Sequence, residues 1–297
     1  MKRSPQTGVT GSPKDETETR ITDQNQGFLR AVASQVRLLD LFFLAVVPVV
    51  LVGVSQLPVS VREQYVFDIT DPTLMTAYTS HFIHLQNDHL LGNLSIYLLV
   101  APITYCLCVL SGRDQLFRIT LFTLLGVFPF VLSGLQLIFP REREIFGFSG
   151  INAALFGLLC LAVVLYLGHQ FTRRAVQRYA PGLLLVTLGM IALISLPARG
   201  WRIEIAAVSL ALGVVYLVSG LYTYGFPSRA ELVRSLDQRG YMELAGAGFG
   251  LVFAYPFVGF GERVVAGEGV VDVYVHLLGY SLAFIVVFIF LVVSENE

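Results

Sequence analysis

Four histidines, one asparagine and one glycine-flanked serine fall near the ends of long apolar stretches in this chain. They are His81, His84 and His89 with Asn93, then Ser149 within Gly147-Phe148-Ser149-Gly150, then His276 three residues before Gly279. A serine hydroxyl is a weak nucleophile at neutral pH, and an imidazole within hydrogen-bond reach makes it a strong one. His89 and Asn93 stand four residues apart, so on a helix they share a face and offer two hydrogen-bonding groups to one neighbour. Such donors suit the oxyanion of acyl transfer, where each contributes about 2.7–4 kcal/mol in a soluble protease. The histidines permit a second chemistry. Spacings of three and five with a distant fourth member also fit a zinc site built from His81, His84, His89 and His276.

The elements that must position these groups are membrane helices. Of the 297 residues, 55% are hydrophobic and 14% charged, and the mean hydropathy is +0.69. An ordinary soluble domain carries about 25% charge, and a disordered chain has far less apolar material. A span needs about 20 mostly apolar residues. Eight stretches qualify: 40–57, 88–110, 115–138, 147–167, 181–197, 203–224, 243–260 and 271–293. The seventh, rich in Gly and Ala and containing Pro256, is the weakest. Lipid offers no hydrogen bonds, so the backbone must satisfy itself, and these runs are too long and continuous for barrel strands. The expected fold is an all-α polytopic transmembrane bundle.

Arginine and lysine set the expected orientation. With the amino terminus inside, 14 of the 20 basic residues fall on the inner side and 6 on the outer. That bias favours both termini in the cytoplasm and an even number of spans. Residues 1–26 read as a disordered polar tail, and 27–38 as a short amphipathic helix on the membrane surface. The division is therefore a cytoplasmic tail, 1–38, and a membrane domain, 39–297. No secretory signal is expected, because the first apolar run starts too late. Two Lys against eighteen Arg suggest a high-GC genome. Cys106, Cys108 and Cys160 lie within spans and read as small buried side chains.

This topology places His81, His84, His89 and His276 at the outer leaflet, with His169 alone at the opposite end of the fourth span. Polar groups inside spans are costly and default to functional candidates. The competing structural readings are specific. Histidine is cheap at an interface, which accounts for His81 better than for the deeper His89 and Asn93. Ser149 stands at a helix start, where serine is a favoured N-cap. Gly150, Ala154 and Gly157 on one span, with Gly279 and Ala283 on another, form the small-residue faces of ordinary close packing. The same closeness would let Ser149 reach His276. Asp88 and Asp272 read as interfacial, and Asp272 suits a helix start.

Taken together, these motifs resemble those of rhomboid-family intramembrane serine proteases. The second span carries His84, His89 and Asn93 as H-x4-H-x3-N. The fourth carries Gly147, Ser149 and Gly150 as G-x-S-G, with Gly157 beyond. The last carries His276 and Gly279 as H-x-x-G. The ordered set covers the first four spans and the last. The resemblance implies a six-span core with about two additional spans. It implies Ser149 as nucleophile and His276 as general base without a buried Asp. His89, Asn93 and the Ser149 N–H would form the oxyanion hole. His84, Gly147, Gly150 and Gly279 would support the site. The substrates implied are transmembrane proteins cut near the outer leaflet of the cell membrane. Contact is expected with membrane lipids, and neither a metal or other cofactor nor nucleic acid is expected.

Several residues depart from that pattern. Ala153 stands where a Tyr commonly packs beneath the catalytic His, and Ala283 where Gly is usual. The loop over 58–80 lacks a Trp-Arg pair, and two more spans separate Ser149 from His276. Two other functions follow from these departures and from the histidines. One is an inactive rhomboid-like protein that binds transmembrane helices, and the other is a His-based metal-dependent membrane hydrolase.

Overall fold

The computed structural model describes residues 27–138, 144–171, 179–196, 201–225, 228–231, 233, 240–260 and 273–294. The polar tail 1–26 and Asp272 lie outside these residues. Helix α1 covers 27–35. It is followed by α2 (Leu38–Ser55), α3 (Val59–Arg62), β1 (Phe67–Asp68), α4 (Leu74–Thr79), α5 (Asn87–Leu110), α6 (Asp114–Gly126) and α7 (Phe128–Ile138). Then come β2 (Glu144–Ile145), α8 (Ser149–Gln170), α9 (Ala180–Ser195), α10 (Arg202–Tyr224), α11 (Tyr241–Phe260) and α12 (Val273–Ser294).

Among the described residues, six helices (α2, α5, α8, α10, α11 and α12) are long and apolar enough to cross a membrane. The chain is a multi-pass membrane protein with an all-α bundle. Two of the eight expected spans take another form. The third is split into α6 and α7, which meet at a 49° bend. Pro129 explains the break, because it has no N–H to donate and its ring excludes the carbonyl four residues earlier. It is tolerated in the first turn of the new helix, where N–H groups have no partner anyway. The fifth is α9, a 16-residue helix. It stops at Leu196, whose backbone is extended (φ −77°, ψ 145°), as the residue before Pro197 is driven to be. The seventh, despite Pro256, runs unbroken as α11.

Helix α8 is the centre of the bundle. Of its most apolar 18 residues 94% are buried, against 17% for α10 at the rim, which packs chiefly on α9. α12 and α5 pack along α8, and α11 fits between α5, α8 and α9. The α8–α12 contact is made by backbone. A methyl group on Gly279 would strike the Gly150 carbonyl, and one on Gly157 would strike the Tyr280 carbonyl. Ala153, Ala154 and Ala283 fill the remaining contact. Since lipid tails are as apolar as leucine, this intimacy supplies the dispersion energy that burial from water supplies in soluble proteins.

Polar ties hold the end of the bundle opposite Ser149. Buried Asp40 accepts from Tyr105 at 2.8 Å and pairs with Arg118 at 3.3 Å, and Arg118 also pairs with Asp114 at 2.8 Å. Helix α1 lies at this end, its Phe28 ring packed edge-on against Tyr241 with centroids 5.1 Å apart. The three cysteines are free, with Cys108 and Cys160 fully buried and Cys106 partly exposed.

Replacing Gly279 by Val should therefore separate α8 from α12, with overpacking costing about 1–3 kcal/mol or more. The thermal midpoint in detergent should fall by several degrees, whereas Gly92→Ala, where a methyl group meets nothing within 4 Å, should leave it unchanged.

Candidate active site

The segment between α2 and α5 builds one wall of the site. It folds back over the bundle as α3, β1 and α4 with two single 3-10 turns, and pairs with the chain just ahead of Ser149. Phe67 lies opposite Ile145 and Asp68 opposite Glu144 in a two-strand antiparallel ladder. The Gly147 N–H donates to the Ser80 carbonyl at 2.9 Å. Gly147 then turns the chain with φ 106°, a left-handed backbone that side chains disfavour. It also has no room for one. A Cβ there would sit 2.5 Å from Cε1 and 2.9 Å from Nε2 of His89. So Gly147, two residues before Ser149, is a seat for the His89 ring.

Ser149 is the first residue of α8. Phe148 occupies the cap position, and no side chain caps this helix. The capping alternative for Ser149 is therefore overturned, because the residue stands one place too far into the helix. Its hydroxyl is half-buried and makes no hydrogen bond to a described residue, His276 included. The Ser149 N–H, at a helix start, has no intrahelical acceptor. His276 lies across the glycine contact. A Cβ on Gly150 would come 2.5 Å from the Val275 side chain, the residue before His276. His276 Nδ1 is 2.9 Å from the Gly259 carbonyl, and the Phe260 ring meets the imidazole edge-on at 6.0 Å between centroids.

His84 is a hub rather than a free base. It is 1% exposed, and its Nε2 lies 3.0 Å from Asn93 Nδ2 and 3.4 Å from the Phe148 N–H. Both neighbours are donors. The Asn93 amide nitrogen also donates to the His89 carbonyl at 3.1 Å, which can only accept. His84 Nε2 therefore carries a lone pair and holds the residue that precedes Ser149. Arg62, 6% exposed, donates to the His84 carbonyl through Nη1 and to the Leu57 carbonyl through Nε at 3.0 Å. Burial is the main reason the His84 imidazole is pushed down to about 3, with the His89 charge next.

The expected site residues meet in part. His84, His89, Asn93, Gly147 and the α8 start form one cluster, and His84 and His89 rings are 5.0 Å apart. Gly150 and Gly279 touch, as expected of a helix contact. Asn93 is engaged on every side. Its two amide hydrogens go to His84 and the His89 carbonyl, and its Oδ1 accepts from Asn152 at 3.1 Å. His89 is different: its ring is half-buried and its nitrogens bond no described residue. It is the side-chain donor with a free hand. His81 turns elsewhere, to Ser133 Oγ at 3.1 Å, and Ser133 donates onward to the Ala77 carbonyl at 2.8 Å. Burial pushes His81 down to about 4. The four-histidine zinc arrangement is thus not assembled: among the described residues no three His, Cys, Asp or Glu side chains are grouped to hold a metal.

Sequence reasoning overlooked Asn152, Arg62 and the carbonyl of Gly259. The first left a signal, an amide inside an apolar run. Arg62 left a weaker one, and a backbone carbonyl leaves none. Comparisons with protein families, curated proteins and solved structures give no match for this chain.

His81 and His84 stay neutral in the fold, while in the unfolded chain they titrate near 6.5. Below that pH the unfolded state gains protons that the folded state refuses, so stability falls. The thermal midpoint should drop as pH is lowered from 7 to 4. A His81→Gln, His84→Gln double variant should start lower but fall less steeply over the same range.

Proposed function

We propose that this protein is a rhomboid-type intramembrane serine endopeptidase. Its substrates are transmembrane proteins, cleaved near the outer leaflet of the cell membrane. In this reading α6 and α7 form one broken span and α9 a short one, which makes eight, with both termini in the cytoplasm. The observation that carries the proposal is the backbone contact of α8 with α12. It sets an uncapped, half-buried Ser149 on the helix next to His276, one turn from where Gly279 meets the Gly150 carbonyl.

The reaction follows from the roles. His276 Nε2 takes the Ser149 hydroxyl proton as Oγ bonds to the scissile carbonyl carbon. The carbonyl oxygen becomes an oxyanion, received by the Ser149 N–H and the His89 ring. The Nε2 proton then passes to the amide nitrogen as the C–N bond breaks. Water, deprotonated by the same imidazole, releases the acyl group and restores Ser149. Asn93 acts here through its neighbours: with its hydrogens committed to His84 and the His89 carbonyl, it fixes the donor rather than being one. The missing Ser149–His276 hydrogen bond is compatible with a substrate-free site, where such bonds tighten only when substrate is bound.

That same unclosed bond favours a second reading, an inactive protein that binds transmembrane helices. One experiment separates them. Wild type, but not Ser149→Ala, should be labelled by a fluorophosphonate, and wild type should cut a model transmembrane substrate. Ser149→Ala and His276→Ala should lower cleavage by at least 10³-fold with folding intact, consistent with the roughly 10⁶-fold loss on removing the serine or histidine of the catalytic triad in a soluble protease. Cleavage by Ser149→Ala at the wild-type rate would reject the proposal, and a folded wild type that neither labels nor cleaves would leave the binder.

A further inference from the structure

We propose that the last turn of α11 is the orienting partner of His276, supplying through the Gly259 carbonyl what a buried carboxylate supplies in a catalytic triad. This rests on the protease reading and deepens it. The contact itself is short: Nδ1 to carbonyl oxygen is 2.9 Å, and both groups are buried. A carbonyl accepts and never donates. The proton of a neutral imidazole must therefore sit on Nδ1, which leaves the Nε2 lone pair for the Ser149 hydroxyl. The opposite tautomer would present an N–H to Ser149 and could not act as base.

The geometry around the contact confines the ring. Phe260, fully buried, stands perpendicular to the imidazole at 88°. Tyr255, one turn earlier, donates to the His276 carbonyl at 3.4 Å and stacks on Phe156 of α8 with centroids 4.2 Å apart. Helix α11 therefore holds His276 by its ring and by its backbone, and is itself fastened to the helix that carries Ser149. This answers the small side chain at Ala153, which lies against Gly279 and leaves the imidazole to be supported from another helix. When His276 gains the Ser149 proton, the Nδ1–H···O bond becomes charge-assisted and strengthens, so the carbonyl favours the state that forms along the reaction. In a soluble protease, an orienter that selects the wrong tautomer lowers kcat by about 10⁴. A neutral carbonyl is a weaker selector than a carboxylate, and the expected loss here is smaller.

The test reads the tautomer directly and then weakens the acceptor. The full chain, labelled with 15N-histidine in lipid nanodiscs, is measured by solid-state NMR at a pH where His276 is neutral. The His276 signals are assigned by their loss in His276→Asn. The expected result is a protonated Nδ1 and an unprotonated Nε2. Replacing Phe260 with phenyllactate converts the Gly259 amide carbonyl into an ester carbonyl, a poorer acceptor. It should lower kcat at least tenfold with KM kept, and move His276 toward the Nε2-protonated form. Phenyllactate in place of the lipid-facing Phe257 makes the same backbone change away from His276 and should alter kcat less than twofold. A protonated Nε2 in the wild type, or equal losses from the two esters, would overturn the proposal. Its fate is separable from that of the protease reading. A Nδ1-protonated His276 in a protein that no serine probe labels would keep the contact and reject the activity. A Nε2-protonated His276 in an active enzyme would do the reverse.

Discussion

The α8–α12 backbone contact is the constraint on which the other arrangements depend. Two helices in lipid gain little from hiding apolar surface, so they hold together only where they approach closely. Gly150, Gly157 and Gly279 allow that approach, with each glycine facing a backbone or side-chain atom that a methyl group would strike. Once the two helices are this near, the first turn of α8 lies beside α12, with Gly150 against Val275 and Gly279. Everything else at the site is arranged around this fixed pair of axes. Gly147 turns the chain into α8, His89 rests on Gly147, and His84 receives the N–H of Phe148.

Around that contact polar groups are few, and several of them bond one another. Asn93 serves His84, His89 and Asn152 at once. His81 and Ser133 form a separate chain that ends on the Ala77 carbonyl. In a low-dielectric interior such networks rigidify what they join, because each broken bond strands a polar atom away from water. The segment over 58–86, built of short helical pieces, is tied to the bundle by these bonds and to itself by Arg62.

Much of this was legible in the residues. Apolar runs gave six helices of membrane-spanning length, and the small faces of α8 and α12 gave their contact. Of the residues the motifs named, His84, His89, Asn93 and Gly147 gather at the start of α8, and Gly150 touches Gly279. The limits have physical reasons. Pro129 sits in an apolar run that hydropathy reads as continuous, yet it bends the helix by 49°. Leu196, the residue before Pro197, is driven to extended backbone and so ends α9 early. His81 has the same type and neighbourhood as His84, and only the position of Ser133 on α7 decides that it leaves the cluster. Asn152 was readable as an amide among apolar residues. The Gly259 carbonyl was not, since every residue offers the same group and only packing selects one.

Helix α10 carries a different implication. It has 23 residues, about 34 Å at 1.5 Å per residue, slightly more than the roughly 30 Å of a typical hydrocarbon layer. Packed chiefly on α9, it leaves most of its circumference uncovered by the rest of the described chain. A helix in that position settles its tilt against bilayer thickness as much as against protein. It is joined to the core through α9, where Thr187 bonds Tyr280 of α12 at 2.5 Å, next to Gly279. The lipid composition around this rim helix thus has a short mechanical path to the contact at the heart of the bundle.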